Sequence, residues 1–411
     1  MQFGGNEAKA AWRFASRRTP KMTQLRIAIL NSLLRGGGTD EHCLRLAGEL
    51  QKLGQQVWLV GPAENEYAQR ISELHLPFHP TPGADVGHLK FMLHASRLIR
   101  REGIQIVHGH HGRDYWPTIL AARLAGRRPK VILTRHLAKS PGSWASRRFV
   151  LGQCDALIAV SEAVAKILRE GAYEPDSPEA ERHARPPMRG DFSKVYVIYG
   201  GVDTERFRPA NAAAQREAFG LRAGDFAFAV VGGYPLPRGK GQREFLLAAS
   251  RVREKLPPAR FLIIGRGNMK EILEADIARL GLAGKAWLTP YCQDMPAAMN
   301  AIDCLVHPQI GTEAFGLVVC EAHACGKPVI ATALDGVPEA FRAGNYGQLI
   351  APESVEELAG AMANWAGRAP LPEAERAALH ARVKKRFALE VSAGKVLELY
   401  REVLGMTNDK S

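Results

Sequence analysis

The sequence lacks any apolar run close to the roughly 18 residues that a bilayer-spanning helix needs. Residues 1–23 have no apolar core, so they do not follow the pattern of a secretory signal peptide. The six cysteines include no Cys-x-x-Cys pair, and most lie in apolar stretches, which predicts reduced, buried thiols and argues against a structural zinc site. These absences together predict a cytoplasmic protein.

Acidic residues are missing altogether from residues 115–154, although eight arginines and lysines occur there. Residues 88–103 add four more basic side chains on a predicted helix with an apolar face, and the whole chain has a net charge of +13. Such a surface attracts anions, which include lipid head groups, phosphorylated glycans and nucleic acids. No zinc-finger, RNA-recognition or helix-turn-helix pattern is present, so a nucleic-acid partner is not expected. Peripheral attachment to the inner face of the plasma membrane and a generally basic, soluble surface both stay open.

Short apolar strands alternate with helical segments along most of the chain. This alternation is typical of parallel sheets covered by helices on both faces, and it occurs in two series. We therefore predict an α/β protein with two doubly wound, Rossmann-like domains that face each other across a cleft. The predicted strands are 26–30, 57–60, 104–108, 130–134, 156–160 and 195–199 in the first series, and 226–232, 260–265, 286–289, 304–307, 328–332 and 347–350 in the second.

The two series and the segments around them set the predicted domain limits. Residues 1–23 are expected to form a disordered basic tail, with Met22 as an alternative start. Residues 172–193 are rich in proline and charge, which indicates an inserted loop or mobile lid. The predicted units are the tail at 1–23, a first domain at 24–203 that contains this insert, a second domain at 204–385, and a C-terminal helix within 386–411 that packs back on the first domain.

Two glutamates, Glu313 and Glu321, flank the apolar stretch FGLVVC. Residues 316–325 read as a short buried helix ended by Gly326, which places Glu313 in the loop before the helix and Glu321 on it. Eight positions of a helix separate two side chains by about 12 Å along its axis and about 80° around it. That distance is too long for one shared metal ion, but it suits two hydroxyl-rich ends of one long ligand. A helix-capping acid together with a solvated glutamate is the simpler alternative.

In each series, one glycine-rich loop follows the first strand. RGGGTDEHCLRLA, residues 35–47, opens a helix after the first strand, and its glycines allow close approach of a ligand to the backbone. VVGGYPLPRGKGQREF, residues 230–245, carries Arg238 and Lys240, which have the charge to hold a diphosphate. An ordinary tight turn and a solvated turn are the respective alternatives.

Histidines follow two neighbouring strands of the first series. His136 comes directly after residues 130–134, and the segment HGHHGRD, residues 108–114, contains His110, His111 and Arg113. No carboxylate or cysteine stands at a metal-ligand spacing from them, so we expect no metal.

These motifs in this order resemble the retaining glycosyltransferases of family 4, also called glycosyl transferases group 1, which have the GT-B fold. The resemblance covers roughly residues 24–405 and includes CDALIAVSEAV, VYVIYGGVDTERFRP and the stretch from Glu313 through Glu321 to GKPVIAT. It implies transfer of a sugar from a UDP- or GDP-type nucleotide-sugar to an acceptor hydroxyl, with the anomeric configuration kept and no metal or other cofactor.

The resemblance also implies roles for particular residues. Glu313 contacts hydroxyls of the donor sugar, Glu321 holds the nucleotide ribose, and His136 lies beside the reacting sugar. The remaining donor-binding residues are Gly37, Gly38, Arg238, Lys240, Phe315, Gly316 and Leu317, with His136, Glu313 and Lys240 as the catalytic set. One departure is Gly233, which stands where the family usually has an arginine, and Arg238 is the expected replacement.

The acceptor is expected on the first domain. Its basic surface favours a lipopolysaccharide core, a glycolipid or another glycan of the bacterial cell envelope, with His110, His111, Arg113 and Trp144 on the acceptor side. Two alternatives share the architecture: a nucleotide-sugar epimerase, and an inactive relative that binds membranes or glycans.

Overall fold

The computed structural model describes residues 24–34, 37–62, 66–82, 87–173, 184–290 and 292–406. The tail predicted at 1–23 lies outside these residues. In the described part of the chain, two parallel sheets are each covered by helices on both faces. This arrangement confirms the predicted α/β class with two Rossmann-like sheets. None of the helices in these ranges combines the length and the hydropathy that a membrane span requires.

A seven-stranded parallel sheet forms the first half, with strand order β3-β2-β1-β4-β5-β6-β9. The order reverses between β1 and β4, so these two strands flank a crevice at their carboxyl ends. Its strands are β1 (Arg26–Leu30), β2 (Gln56–Gly61), β3 (Phe78–Pro80), β4 (Ile106–Gly109), β5 (Lys130–Arg135), β6 (Ala156–Ala159) and β9 (Val195–Val197). The helices of this half are α1 (Gly38–Lys52), α2 (Glu66–Glu73), α3 (His88–Glu102), α4 (Tyr115–Leu124), α5 (Trp144–Gln153) and α6 (Glu162–Glu170).

The second half repeats the plan with a six-stranded parallel sheet, in the order β12-β11-β10-β13-β14-β15. The reversal here lies between β10 and β13. Its strands are β10 (Phe226–Val231), β11 (Ala259–Ile264), β12 (Ala286–Leu288), β13 (Cys304–His307), β14 (Val329–Thr332) and β15 (Gly347–Ile350). The helices are α7 (Ala213–Ala218), α8 (Gln242–Val252), α9 (Lys270–Arg279), α10 (Met295–Ala301), α11 (Leu317–Ala324), α12 (Val337–Phe341), α13 (Val355–Trp365) and α14 (Glu373–Phe387).

Central strands in both sheets are apolar on both faces because helices cover both sides. All four residues of β6, β13 and β14 are buried, which is the pattern of a parallel strand in the middle of a doubly covered sheet. Burial on both faces removes the usual alternation of polar and apolar residues, so these strands read as continuous apolar runs. Such runs are what made them recognisable in the sequence.

The last helix, α15 (Leu389–Val403), crosses back to the first half of the molecule. It packs against α1, and its Tyr400 hydroxyl lies 2.6 Å from Nδ1 of the buried His108. The Ser392 hydroxyl donates to the carbonyl of Tyr199 at 2.7 Å, where the chain passes from the first sheet to the second. The helix therefore joins the core of the first sheet, while α14 before it packs against α11.

Three short strands were not predicted, and one predicted segment is only partly described. β3 is a three-residue edge strand without a long apolar run, which explains why the sequence did not indicate it. The ends of the predicted insert pair as antiparallel strands β7 (Ala172–Tyr173) and β8 (Ala184–Arg185), and residues 174–183 lie outside the described residues.

All six cysteines are free, but Cys292 is half-buried, which corrects the prediction that they are buried. The limits predicted for the domains stay a prediction.

Candidate active site

A cavity of about 610 Å³ lies where the carboxyl ends of strands from both sheets face each other. This is the edge at which open parallel sheets bind ligands. The residues that line it come from both halves of the chain: Gly38, Thr39, His42, His136, Leu137, Ala138, Val160, Gly200, Val231, Gly232, Gly233, Lys240, Ile264, Gly265, Met295, Thr312, Glu313, Ala314, Phe315, Gly316, Leu317, Val318 and Glu321. The cavity has the size of a small-molecule binding site.

The N-terminus of α11 forms one wall of this cavity. Gly316 precedes the helix with φ 88°, a left-handed conformation that favours glycine and turns the chain sharply into the first helical residue, Leu317. The first amides of a helix have no carbonyl partner within it, so they are available to an anion in the cavity. Residues 315–317, which the sequence placed at the donor, all line the cavity at this point.

Glu313 holds a carboxylate at the entry to α11. Its Oε2 lies 3.2 Å from Nζ of Lys240 and 3.7 Å from Nε2 of His307, which is buried. Burial raises the pKa of Glu313, but the positive charge of Lys240 and the hydrogen bonds to the carboxylate outweigh burial, so its pKa is lowered. The carboxylate therefore stays ionised and can accept hydrogen bonds from ligand hydroxyls.

The backbone around Glu313 is also fixed. Its N–H donates to Oδ2 of Asp335 at 3.1 Å, and its carbonyl accepts from the N–H of Gly336 at 3.2 Å. A Cβ at Gly336 would meet the carbonyl oxygen of Ala314 at 2.2 Å, so only glycine allows this close approach. The loop before α11 is thus positioned by the segment that follows β14.

Glu321 lies on the same cavity wall, about one helical turn into α11. Burial raises its pKa, and Arg45 of α1, whose Nη1 lies 3.9 Å from Oε1, opposes that shift. Arg45 belongs to the first half of the molecule, so this contact spans the cleft. Among the described residues, Glu313 and Glu321 are the carboxylates that line the cavity.

Three imidazoles from the first half come together on the opposite side. His136 follows β5, His110 follows β4 and His42 lies on the first turns of α1. Nδ1 of His110 lies 3.2 Å from Nε2 of His136, and the rings of His42 and His136 are 4.7 Å apart at their centroids. Burial lowers the pKa of all three side chains, to about 4 for His42, so they are neutral at pH 7.

The structure brings most of the predicted donor residues to the cavity, but not all of them. Gly38, Lys240, Glu313, Phe315, Gly316, Leu317, Glu321 and His136 line it. Gly37 is exposed next to this wall, with φ 132°, and does not itself line the cavity. Arg238 is exposed on the turn before α8 and is not among the lining residues, whereas Gly233 is.

The four residues predicted on the acceptor side do not line the cavity either. His110 is buried beneath the wall and contacts His136, and Nε2 of His111 lies 2.9 Å from Asp40. Arg113 is exposed on a short 3₁₀ turn after β4, and Trp144 is 67% exposed at the start of α5. His110 thus contacts His136 and does not itself face the cavity.

Contacts near the cavity connect the two halves. The Ser161 hydroxyl donates to the carbonyl of Ala314 at 2.6 Å, directly beside Glu313. Glu339 of α12 accepts hydrogen bonds from the backbone N–H groups of Glu162 and Ala163 at 2.8 and 2.9 Å, so a residue of the second half caps α6 of the first. These contacts, which we call the α6 clasp, hold the two walls of the cavity in register.

Sequence reasoning did not single out three residues that the geometry makes important: His42, Arg45 and His307. His42 and Arg45 lie in the glycine-rich motif at 35–47, on the helix face that meets the cavity and α11. His307 ends β13, and a polar residue at the carboxyl end of a central strand is the signal that marks it.

Comparisons with known proteins agree with this geometry. Residues 36–177 match the family model described as Glycosyltransferase Family 4, and residues 225–367 match the model described as Glycosyl transferases group 1. Similar sequences include the D-inositol 3-phosphate glycosyltransferases of Rhodococcus erythropolis and Mycobacterium marinum. The first is 28% identical, with 89% of this chain and 86% of that protein covered, and the second is 29% identical, with 90% and 82% covered.

Solved structures with the same fold include a glycosyltransferase from Rickettsia africae, with a TM-score of 0.75, 20% identity, and 94% of this chain and 100% of that chain covered. The HepE protein of Anabaena in complex with UDP-glucose has a TM-score of 0.73 and 19% identity, with 92% and 100% covered. Both confirm a two-domain GT-B architecture for this chain.

Proposed function

This chain belongs to the family 4, group 1 glycosyltransferases, and we propose that it moves a sugar from a UDP- or GDP-type nucleotide-sugar to a hydroxyl of a phosphorylated acceptor, with retention at the anomeric carbon. The observation that carries the proposal is the pairing of Lys240 and Glu313 at the open N-terminus of α11. A cation and free amides suit a diphosphate, and an ionised carboxylate beside them suits sugar hydroxyls.

In the proposed donor complex the sugar lies between Glu313 and His136, and the diphosphate lies against α11. The carboxylate of Glu313 accepts hydrogen bonds from sugar hydroxyls on one wall, and the neutral imidazole of His136 meets the sugar hydroxyls from the opposite wall. Glu321, about one helical turn into α11, is left for the ribose. Binding of this ligand requires Lys240 to exchange part of its contact with Glu313 for the diphosphate.

The proposed chemical step is attack on the face from which the diphosphate leaves. The bond from the anomeric carbon to the phosphate oxygen breaks, the acceptor oxygen bonds to that carbon, and the acceptor proton passes to the departing phosphate. Lys240 and the α11 amides stabilise the charge that develops on the diphosphate. Glu313 is held by Lys240, so we do not assign it as a nucleophile and propose no covalent glycosyl-enzyme.

A phosphorylated polyol is the acceptor class that we favour. Relatives similar over most of this chain are D-inositol 3-phosphate glycosyltransferases, and residues 115–154 of the acceptor-side half carry eight basic and no acidic side chains. This choice replaces a lipopolysaccharide core as the leading candidate. A cell-envelope glycolipid is the second candidate, because apolar side chains such as Leu89 and Trp144 are exposed among the basic residues of α3 and α5.

The first experiment measures donor binding by thermal shift with UDP, GDP, ADP and CMP, in EDTA, for the wild type and two variants. Lys240→Met is expected to bind the nucleoside diphosphate about 10–100-fold more weakly, because one charge-assisted contact worth about 1.5–3 kcal/mol is lost. Lys270→Met, at an exposed position on α9, is the matched control. No shift with any nucleotide, or equal shifts for both variants, contradicts the donor site.

The second experiment follows sugar transfer from the bound donor to D-inositol 3-phosphate and to unphosphorylated inositol. We expect product only with the phosphorylated acceptor. The NMR coupling constants of that product should show the same anomeric configuration as in the donor. Conversion of the donor to another nucleotide-sugar without acceptor would indicate the epimerase alternative. An inverted product would contradict the proposed mechanism.

A further inference from the structure

The His42, His110 and His136 side chains form a cluster whose geometry the proposed transfer reaction does not explain. One nitrogen from each of them lies within 4.8 Å of the other two. They come from three separate elements, since α1, the end of β4 and the end of β5 each contribute one. The proposed sugar contact uses the imidazole of His136 alone, whereas the fold brings three imidazoles together.

The spacing within the cluster matches a transition-metal ion. Two ligand nitrogens on a tetrahedral zinc ion with bonds of about 2.0–2.1 Å lie about 3.3–3.4 Å apart. The contact between Nδ1 of His110 and Nε2 of His136 is already 3.2 Å. The third nitrogen, from the half-buried His42, lies within 4.8 Å of the other two, so binding of an ion requires this side chain to move closer to them.

The surroundings of the cluster also favour a metal ion. His110 is 1% exposed, so its Nδ1, the nitrogen that faces His136, is sheltered from bulk water. His42 and His136 line the cavity, which leaves an open position for water or a ligand oxygen. The rings of His108 and His110 are in contact, with centroids 4.0 Å apart, and His108 is itself fixed by Tyr400 and Thr134, so one ligand is held rigidly.

We propose that His42, His110 and His136 bind one transition-metal dication of the Zn²⁺ class, and that its binding inhibits sugar transfer by occupying the wall at which His136 meets the sugar. Imidazole ligands select Zn²⁺, Cu²⁺, Ni²⁺ and Co²⁺ over Mg²⁺ and Ca²⁺, which prefer oxygen. The inhibitory part of this inference depends on the proposed function, but the binding part does not.

Metal binding is tested on the full chain without donor, by titration with Co²⁺ followed by its ligand-field absorption and by calorimetry with Zn²⁺. We expect one ion per chain and no comparable response to Mg²⁺. His42→Ala and His110→Gln should each weaken binding at least about tenfold. The matched control is His75→Asn, at an exposed histidine with φ 51°, a conformation that asparagine tolerates.

Melting curves in EDTA show whether each variant is folded, and His42→Ala keeps the test valid if the buried His110 does not tolerate substitution. Unchanged Zn²⁺ affinity in folded His42→Ala, or loss of affinity in His75→Asn, would overturn the site.

In transfer assays, Zn²⁺ should inhibit the wild type in competition with the nucleotide-sugar and inhibit His42→Ala at least about tenfold less strongly. Activity that requires the ion would overturn the inhibitory role while leaving the binding result unaffected.

Discussion

At the scale of single residues, the cavity depends on charges kept ionised inside an enclosed wall. Glu313 is 17% exposed, and its carboxylate stays ionised because Lys240 lies 3.2 Å away. His136 and His42, on the opposite wall, are neutral because desolvation at this wall lowers their pKa values and nearby arginines lower them further. The two walls thus present a negative charge and uncharged imidazoles to the same small space, which suits a polyhydroxylated ring.

Replacement of Glu313 by glutamine tests the role assigned to its charge. The amide keeps the shape of the side chain but accepts weaker hydrogen bonds and leaves Lys240 without its anionic partner. We expect the turnover number for sugar transfer to fall about 10²–10³-fold. Steady-state kinetics measure this effect, and Glu274→Gln, on the exposed surface of α9, is the control. Near-normal turnover in Glu313→Gln would contradict the assignment.

The ion pairs of Glu41 predict a pH-dependent contribution to stability. Burial raises the pKa of Glu41, but hydrogen bonds and charges from Arg70 and Arg45 outweigh it and lower the pKa from 4.5 to about 2. A lowered folded-state pKa stabilises the native state above pH 4.5, and this stabilisation is lost as the pH falls from 4.5 towards 2.

Glu41→Gln should therefore lower the free energy of unfolding by about 1–2 kcal/mol at pH 7, after allowance for solvent screening of the partly exposed arginines. The free energies of unfolding of Glu41→Gln and the wild type are compared by urea unfolding at pH 7, 4.5 and 3.5. We expect the difference between them to become smaller between pH 4.5 and pH 3.5. Glu49→Gln on the same helix removes a contact to the exposed Lys52, and we expect it to lower the free energy of unfolding by less than Glu41→Gln does. A difference that stays constant from pH 7 to pH 3.5 would exclude this explanation.

At the scale of secondary-structure elements, short segments that enter or leave helices determine the geometry of the cavity. α11 begins at a glycine in a left-handed conformation, and α6 is capped by both its own Ser161 and Glu339 of the facing half. A cap that bridges two halves stabilises one helix and one relative arrangement of the walls at the same time. The α6 clasp is therefore the element most directly connected to the loop that carries Glu313.

We expect removal of the α6 clasp to have a local effect that removal of an ordinary helix cap would not have. Glu339→Ala leaves two backbone N–H groups of α6 without acceptors and should cost about 1–2 kcal/mol. Ser354→Ala, which removes the N-cap of α13 within one half, is the matched control. Hydrogen exchange should increase at residues 161–164 and around Ala314 only in Glu339→Ala. Equal exchange in both variants at these positions would mean that the contacts do not couple the two halves.

At the scale of the whole molecule, the net charge is +13, and part of the basic excess lies on the face formed by the neighbouring helices α3, α4 and α5. Basic residues of α3, α4 and α5 surround exposed apolar side chains, among which Leu89 is 62% and Trp144 is 67% exposed. Such a face attracts anionic lipid electrostatically and gains further from burial of the apolar side chains.

We accordingly predict binding to anionic vesicles that weakens as salt is added, since the screening length falls from about 10 Å at 0.1 M to about 3 Å at 1 M. Vesicle co-sedimentation should detect a loss of binding in Lys90→Gln/Arg97→Gln, which neutralises two exposed charges on α3. Lys385→Gln/Lys395→Gln removes the same charge from exposed positions on α14 and α15 and is the control. Equal binding to neutral vesicles would contradict the electrostatic argument.

Local patterns determined much of the fold and part of the cavity. Apolar strands with helical segments between them predicted both parallel sheets, because burial on both faces leaves a continuous apolar run that single-sequence reasoning recognises. The glycine-rich loop at 35–47 and the predicted helix start at residue 316 indicated where the backbone would come close to a ligand, and Gly38 and Gly316 line the cavity. The family resemblance then named Glu313, Glu321, Lys240 and His136, all of which line it.

Only the tertiary structure decided which residues from distant positions meet. His42 and His110 join His136, Arg45 reaches Glu321 across the cleft, and Glu339 caps a helix of the other half, although these pairs are 26 to 276 positions apart. It also left Arg238 exposed outside the cavity wall and His110 buried beneath it. Periodicity and turn chemistry act over a few neighbouring residues, so the sequence by itself determined the elements. The relative placement of the two sheets, which depends on packing and long-range hydrogen bonds, decided the contacts between them.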